Sequence, residues 1–332
     1  MNTPFKAFIV NKENDQFTSG LQTLTLNDLP QGEVLIKVHY SSVNYKDGLA
    51  SIPHGQIVRT YPHVPGIDAS GLVEESSDDR FKQGDRVIVT SYGFGVSHFG
   101  GFSEYARVPA KWVVHCPESL TLREAMAYGT AGFTAALSVL KLQHQGITPE
   151  SGDIVVTGAS GGVGSVAVAM LAKQGYNVFA STGKSQEHDY LKQLGAVEVL
   201  SREDLSPAQF TPLGKGRFIG AIDPVGGNTL AYLLSVMKYG GTVACTGLTA
   251  GSHLNTTVYP FILRGVSLIG VDSVECPMSI REPLWQRMAT DMKPDNLEGF
   301  IGEEITLEDL PKVFAQILNG ETKGRVVVKV SD

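Results

Sequence analysis

The run Gly158-Ala159-Ser160-Gly161-Gly162-Val163-Gly164 follows directly on the apolar, β-branched stretch Ile154-Val155-Val156-Thr157 and opens an Ala- and Val-rich segment reaching Gln174. A short strand running into a glycine-dense turn that starts a helix is the arrangement a dinucleotide site requires. Gly161 lets backbone approach a pyrophosphate and Gly164 lets the helix pack on the strand, while the free N–H groups at the helix start face the phosphates. Ala159 stands where the first glycine of the usual fingerprint would be. A glycine-rich turn without a ligand is the plainer alternative, but the strand-turn-helix context favours a nicotinamide nucleotide.

The next strand, Tyr176 to Lys184, ends about twenty residues on, where a site for NAD normally places Asp or Glu against the ribose hydroxyls. Here the slot holds Ser181, Thr182, Gly183 and Lys184, with no carboxylate before Glu187, and Arg202 follows the third strand, Val197 to Leu200. A carboxylate would repel a 2′-phosphate; hydroxyls, the Gly183 N–H and cations attract one. Lys184 and Arg202 are otherwise ordinary surface cations. Together they favour NADPH over NADH.

These residues need a framework. Strands are expected at 153–157, 177–181, 197–200, 217–222, 242–246 and 267–271, with helices at 163–174, 186–194, 228–238 and 259–264; the alternation predicts a doubly wound α/β sheet of six parallel strands. Residues 5–115 read differently. The segments 32–40, 66–74 and 84–90 alternate apolar and polar residues between Gly, Pro and Asn, which suggests a small β-barrel. The pattern turns helical at Thr121, a candidate N-cap with Glu124 completing a capping box, through 122–126 and again over 131–140. A helix over 308–318 and a final strand over 325–330 return to the barrel. The domains are therefore expected at 1–122 with 274–332, and at 123–273.

Composition narrows the class. At 332 residues the chain can bury two cores. A net charge of −7 without an extended basic run argues against nucleic-acid binding and against a polybasic membrane contact. Cys116, Cys245 and Cys276 are odd in number and widely spaced, which suits a reducing compartment. No signal-peptide layout and no long apolar window occurs, so a cytoplasmic protein is expected.

The elements Gly66-Ile67-Asp68, Gly84-Asp85-Arg86-Val87 and Gly158 to Gly164 resemble the medium-chain dehydrogenase/reductases over nearly the whole chain. More narrowly, Ser42-Val43-Asn44-Tyr45-Lys46-Asp47-Gly48-Leu49, Pro260 to Arg264, Gly270 to Val274 and Gly324-Arg325 resemble the zinc-independent quinone oxidoreductase branch of YhdH/YhfP type, which includes acrylyl-CoA reductases. The resemblance implies a GroES-like β-barrel catalytic domain joined to a Rossmann domain. Zinc members carry a Cys near Asn44 and a His-Glu pair near Ile67-Asp68; neither is present, and the eight histidines are scattered. No metal is expected.

Without a Lewis acid, conjugate reduction fits best. Hydride adds to the β-carbon of an enone or α,β-unsaturated thioester, charge moves to the carbonyl oxygen, and a proton reaches the α-carbon. The resemblance puts Asn44, Tyr45 and Asp47 beside the nicotinamide as catalytic candidates, with Tyr45 also touching the cofactor. It puts Ser160, Gly161, Gly162 and Val163 along the pyrophosphate, and Thr182, Gly183, Lys184 and Arg202 around the 2′-phosphate. It also puts Leu248 and Ile262 on the nicotinamide side, although both read equally well as core, and Ser273 and Arg325 near the cleft, all four as cofactor contacts. Arg59 and Tyr92 are candidates for the substrate. The rivals are an NADPH:quinone oxidoreductase and a non-catalytic NADPH-binding redox sensor. An apolar edge strand over 266–271 further suggests a homodimer.

Overall fold

The computed structural model describes residues 4–14 and 16–332, and they form two compact units. One comprises Met1–Thr130, Val274–Ala289 and Phe300–Asp332; the other comprises Ala131–Ser273 and Thr290–Gly299. The boundary was expected at 122–123; the compact units divide after Thr130, and the short segment Thr290–Gly299 groups with the second unit.

In the first unit β1 (Pro4–Glu13) and β2 (Gln16–Thr25) form an antiparallel hairpin. The sheet behind it begins with β3 (Val34–Val43), β4 (Asp68–Ser76), β5 (Arg86–Thr90), β6 (Tyr105–Val108) and β7 (Val113–His115). The alternation predicts a half-buried strand, but β3 is covered on both faces: Leu35 is buried with Phe5, Ala7 and Ile9. Val34, Ile36 and Val38 enter a core with Val87, Val89 and Val113, while Val43 packs with Phe8, Phe102 and Phe314. The short helix α1 (Tyr45–Ala50) starts two residues after β3 ends. The helix α2 (Leu122–His144) starts at the expected box: Thr121 N donates to Glu124 Oε2 at 2.7 Å and Glu124 N to Thr121 Oγ1 at 3.0 Å. Its helical geometry breaks at Gly129 (φ 52°, ψ −156°), between the two helical stretches that the sequence pattern separates.

The second unit follows the alternating pattern. β8 (Ile154–Val156), α3 (Gly162–Lys173), β9 (Val178–Thr182), α4 (His188–Gln193), β10 (Glu198–Ser201), β11 (Phe218–Asp223), α5 (Gly227–Ser235), β12 (Met237–Cys245), α6 (Tyr259–Arg264) and β13 (Ser267–Gly270) succeed one another. The six strands are all parallel in the order β10-β9-β8-β11-β12-β13, so the chain reverses direction across the sheet between β8 and β11. Every residue of β8 is buried, as a central strand covered on both faces demands. α5 ends earlier than expected because Met237 already pairs with Phe218; after an irregular step, β12 resumes opposite Gly220 at Thr242.

The rest of the first unit comes from the chain's end: α7 (Met278–Met288), β14 (Ile301–Ile305), α8 (Leu310–Leu318) and β15 (Arg325–Lys329). β15 pairs antiparallel with β3 from Val326↔Val43 to Lys329↔Tyr40, so the final strand rejoins the first unit's sheet. α7 has no counterpart in the sequence reading, because Pro283 lies inside it and its mixed composition hides the period; it carries the fully buried Arg281 and Trp285. No helix among the described residues is long and apolar enough to cross a membrane.

Candidate active site

The nucleotide half is built at the carboxyl ends of the parallel strands, where open α/β sheets bind ligands. After β8 the chain turns at Gly158, which takes a positive φ of 53°, so the turn glycine lies one residue before Ala159. A Cβ at Gly164 would sit 2.4 Å from Gly158 O, which accounts for glycine at that helix–strand contact. No side chain caps α3, and its first residues are partly exposed, leaving N–H donors and the positive end of the helix dipole for an anion.

At the end of β9 the expected residues do gather. Ser160 Oγ lies 2.9 Å from Thr182 Oγ1, and Thr182 Oγ1 accepts the Lys184 N–H at 3.1 Å. The β9–β10 register pairs Ser181 with Leu200 and Thr182 with Ser201, so the residues that follow, Gly183 and Arg202, emerge side by side. Of the carboxylates at these strand ends, Asp223 is buried and taken up by Thr157 Oγ1 at 2.5 Å and Gly226 N at 2.9 Å, and Asp204 accepts from Ser201 N at 2.8 Å and Ser201 Oγ at 2.9 Å. Leu248 and Ile262 are exposed, 64% and 68%, so neither is core. Leu248 borders a depression of about 510 Å3 with Lys141, Cys245, Gly247, Gly270 and Asp272, beyond β12 and β13. Ser273 accepts from Thr134 Oγ1 at 2.8 Å and so holds α2.

The first unit assembles a buried polar cluster around Asp68, the opening residue of β4. Its Oδ2 accepts from Ser42 Oγ and Asn44 Nδ2, both at 2.7 Å. Its Oδ1 accepts from Thr130 N at 3.0 Å and Thr130 Oγ1 at 2.5 Å. The β15–β3 register carries Arg325 to the same place. Arg325 Nη2 lies 3.7 Å from Asp68 Oδ2 and 2.7 Å from Ser42 Oγ, and Arg325 Nη1 donates to Asn44 Oδ1 at 3.3 Å. Arg325 is thus an internal partner of this cluster, with its Nε buried and without an acceptor.

The three loop candidates differ sharply in what they leave free. Asn44 is nearly buried and held at both ends of its amide, by Asp68 and Arg325. Asp47 is fully buried; its Oδ2 accepts the Asn44 N–H at 2.8 Å and its Oδ1 the Ile67 N–H at 3.0 Å, tying the start of α1 to β4. Tyr45 is 48% exposed, and among the described residues nothing engages its hydroxyl. Arg59 is exposed and likewise unpaired. Tyr92 is committed: its hydroxyl donates to Cys276 O at 2.8 Å, and its ring lies between Trp112, stacked at 6.0 Å, and the Arg281 guanidinium at 4.5 Å.

Burial, and secondarily the charge of Asp68, raises the Asp47 carboxyl to about 7. A folded-state value above the unfolded one means that the native protein holds this proton more tightly. The stability it contributes is complete below about pH 4 and is lost as pH rises through 7. Urea unfolding at pH 5 and pH 8 should therefore show a loss on the order of 2 kcal/mol from this group. Asp47→Asn, although less stable overall, should flatten that slope; an unchanged slope would assign the pH dependence elsewhere.

The sequence reading passed over Asp68, Ser42, Gly129, Thr130 and Arg281 as site-building residues. A signal for Asp68 was present: it is the single carboxylate in the run Gly66 to Leu72, which is otherwise apolar or small. Gly129, at the break between the helical stretches 122–126 and 131–140, was the other.

Two family models match the chain: an alcohol dehydrogenase GroES-like domain over residues 30–118 and a zinc-binding dehydrogenase domain over 162–290. Acrylyl-CoA reductase AcuI of Ruegeria pomeroyi is 50% identical over 329 residues, 98% of this chain and 99% of that one. Among solved structures, Bacillus subtilis YhfP with NAD bound has a TM-score of 0.97 at 54% identity, covering 98% of this chain and 99% of that one. Salmonella enterica YhdH in complex with NADP has a TM-score of 0.95 at 47% identity, covering 98% and 100%. The zinc in one model's description finds no donor set here. Asp68 is engaged by Ser42, Asn44, Thr130 and a guanidinium that would repel a cation, and no group of three or more His, Cys, Asp or Glu side chains able to hold a metal occurs among the described residues. With two relatives at about half identity along almost their full length, the chain belongs to the medium-chain dehydrogenase/reductase family of oxidoreductases.

Proposed function

We propose that this chain is an NADPH-dependent reductase of activated C=C bonds that acts on acrylyl-CoA-like α,β-unsaturated thioesters or enones. The observation that carries the cofactor half is the end of β9, where Ser181 to Lys184 include no carboxylate and an Arg202 guanidinium, unpaired among the described residues, lies against Gly183. The name of the Ruegeria relative supports the thioester half. When bound, NADPH supplies the hydride. The uncapped start of α3 takes the pyrophosphate, and Thr182, Gly183, Lys184 and Arg202 take the 2′-phosphate.

Hydride addition leaves negative charge on the substrate's carbonyl oxygen, which needs a donor. Asn44 and Asp47 have spent their polar atoms on Asp68, Arg325 and two backbone N–H groups, so their part is to fix the turn that presents Tyr45. The Tyr45 hydroxyl, free among the described residues, is the donor and proton source for the substrate; Arg59, likewise uncommitted among them and in the same unit, is a further cation suited to the substrate's carbonyl or phosphates.

NADPH consumption with acrylyl-CoA, crotonyl-CoA and simple quinones tests the assignment. Turnover of the thioesters is expected, and Tyr45→Phe should lower kcat about 100-fold or more with NADPH affinity within about twofold. Turnover confined to quinones would make the protein a quinone oxidoreductase. Tight NADPH binding without turnover of any electrophile would make it a redox sensor.

A further inference from the structure

Gly183 has no conformational reason to be glycine. Its φ lies outside the positive range that favours glycine, and the three atoms nearest a Cβ there all belong to one side chain. What a side chain would meet is Arg202: a Cβ built there comes within 2.6 Å of Nη2, 2.8 Å of Cζ and 2.9 Å of Nε. Three atoms of one plane at nearly equal distance mean that the guanidinium lies face-on over Gly183. Among the described residues this guanidinium makes no ion pair. The neighbouring register, Thr182 against Ser201, sets this contact, and both strands are regular up to it.

We infer that Gly183 is a specificity-determining residue: by lacking a Cβ it provides the seat on which Arg202 presents its N–H edge to the adenosine 2′-phosphate. This rests on the NADPH reading above and adds a cause to it. A planar guanidinium supported on one face retains its in-plane donors for a bidentate phosphate contact, whereas one pushed off the seat must regain that geometry at an entropic cost. Because the overlapping atoms belong to the far end of a flexible side chain, Gly183→Ala should displace Arg202 and leave the sheet intact.

Isothermal titration with NADPH and NADH tests this in the full-length protein, the Gly183→Ala and Arg202→Ala variants and their combination. The wild type should prefer NADPH. Gly183→Ala should raise the Kd for NADPH about ten- to a hundredfold and leave that for NADH within about twofold; Arg202→Ala should do the same, and the double variant should lose little more. If Arg202→Ala loses the preference while Gly183→Ala keeps it, or if Gly183→Ala weakens both coenzymes equally, the seat is refuted and the NADPH reading stands. A wild type that binds both coenzymes equally, with Arg202→Ala silent, would remove both.

Discussion

Gly129→Ala should destabilise the protein by about 4 kcal/mol, near the top of the range for single substitutions. Two effects combine. At φ 52° and ψ −156° the backbone is in a region that a Cβ disfavours. The new methyl would also stand 2.4 Å from Asp68 Oδ2, 2.5 Å from Ser42 Oγ and 2.8 Å from Arg325 Nη2. Buried groups cannot all give way without breaking hydrogen bonds that have no water to replace them. Gly146→Ala is the control, since it too has a positive φ, 79°, but open space around it. It should cost about 1 kcal/mol. Denaturant unfolding of the two variants separates strain from overlap; equal costs would mean that the Asp68 cluster tolerates the methyl.

Asp68→Asn should cost about 3–5 kcal/mol, because it leaves the Arg325 guanidinium buried without a carboxylate. The loss goes beyond charge. Ser42, Asn44, Thr130 and Arg325 all bring donors to this one side chain, and an amide presents its own N–H groups where acceptors are needed. Removing the cation as well, in Asp68→Asn with Arg325→Leu, should recover about 1–3 kcal/mol relative to the sum of the single changes. Strict additivity would show that the two groups do not stabilise one another. Asp68→Asn also releases Asn44 from one of its two anchors and the double variant from both, so activity should fall more than the residual folded fraction accounts for.

The chain's local order was legible from sequence to the extent that it depends on near neighbours. The strand-turn-helix around Gly158 to Gly164, the Thr121–Glu124 box and the six parallel strands rest on periodicity, capping and glycine placement within a few residues, and the structure follows them closely. The gathering of Thr182, Gly183, Lys184 and Arg202 was legible for a similar reason, since parallel neighbouring strands end side by side. α7 was not, because a helix with Pro283 inside it and a buried arginine lacks a readable period.

What each polar group does with its atoms was decided only in three dimensions. Asn44 looked like a free amide until sheet pairing brought Asp68, 24 residues away, and Arg325, 281 residues away, to its two ends. Tyr92 looked like an aromatic available to a substrate until Arg281 and Trp112 closed on its ring. Residue type and spacing thus determined that this chain makes a dinucleotide-type α/β fold and which residues stand at its strand ends and helix starts, since those are properties of near neighbours. Which side chains remain free for chemistry was determined by strand register and burial, which join distant segments and leave the Tyr45 hydroxyl unclaimed.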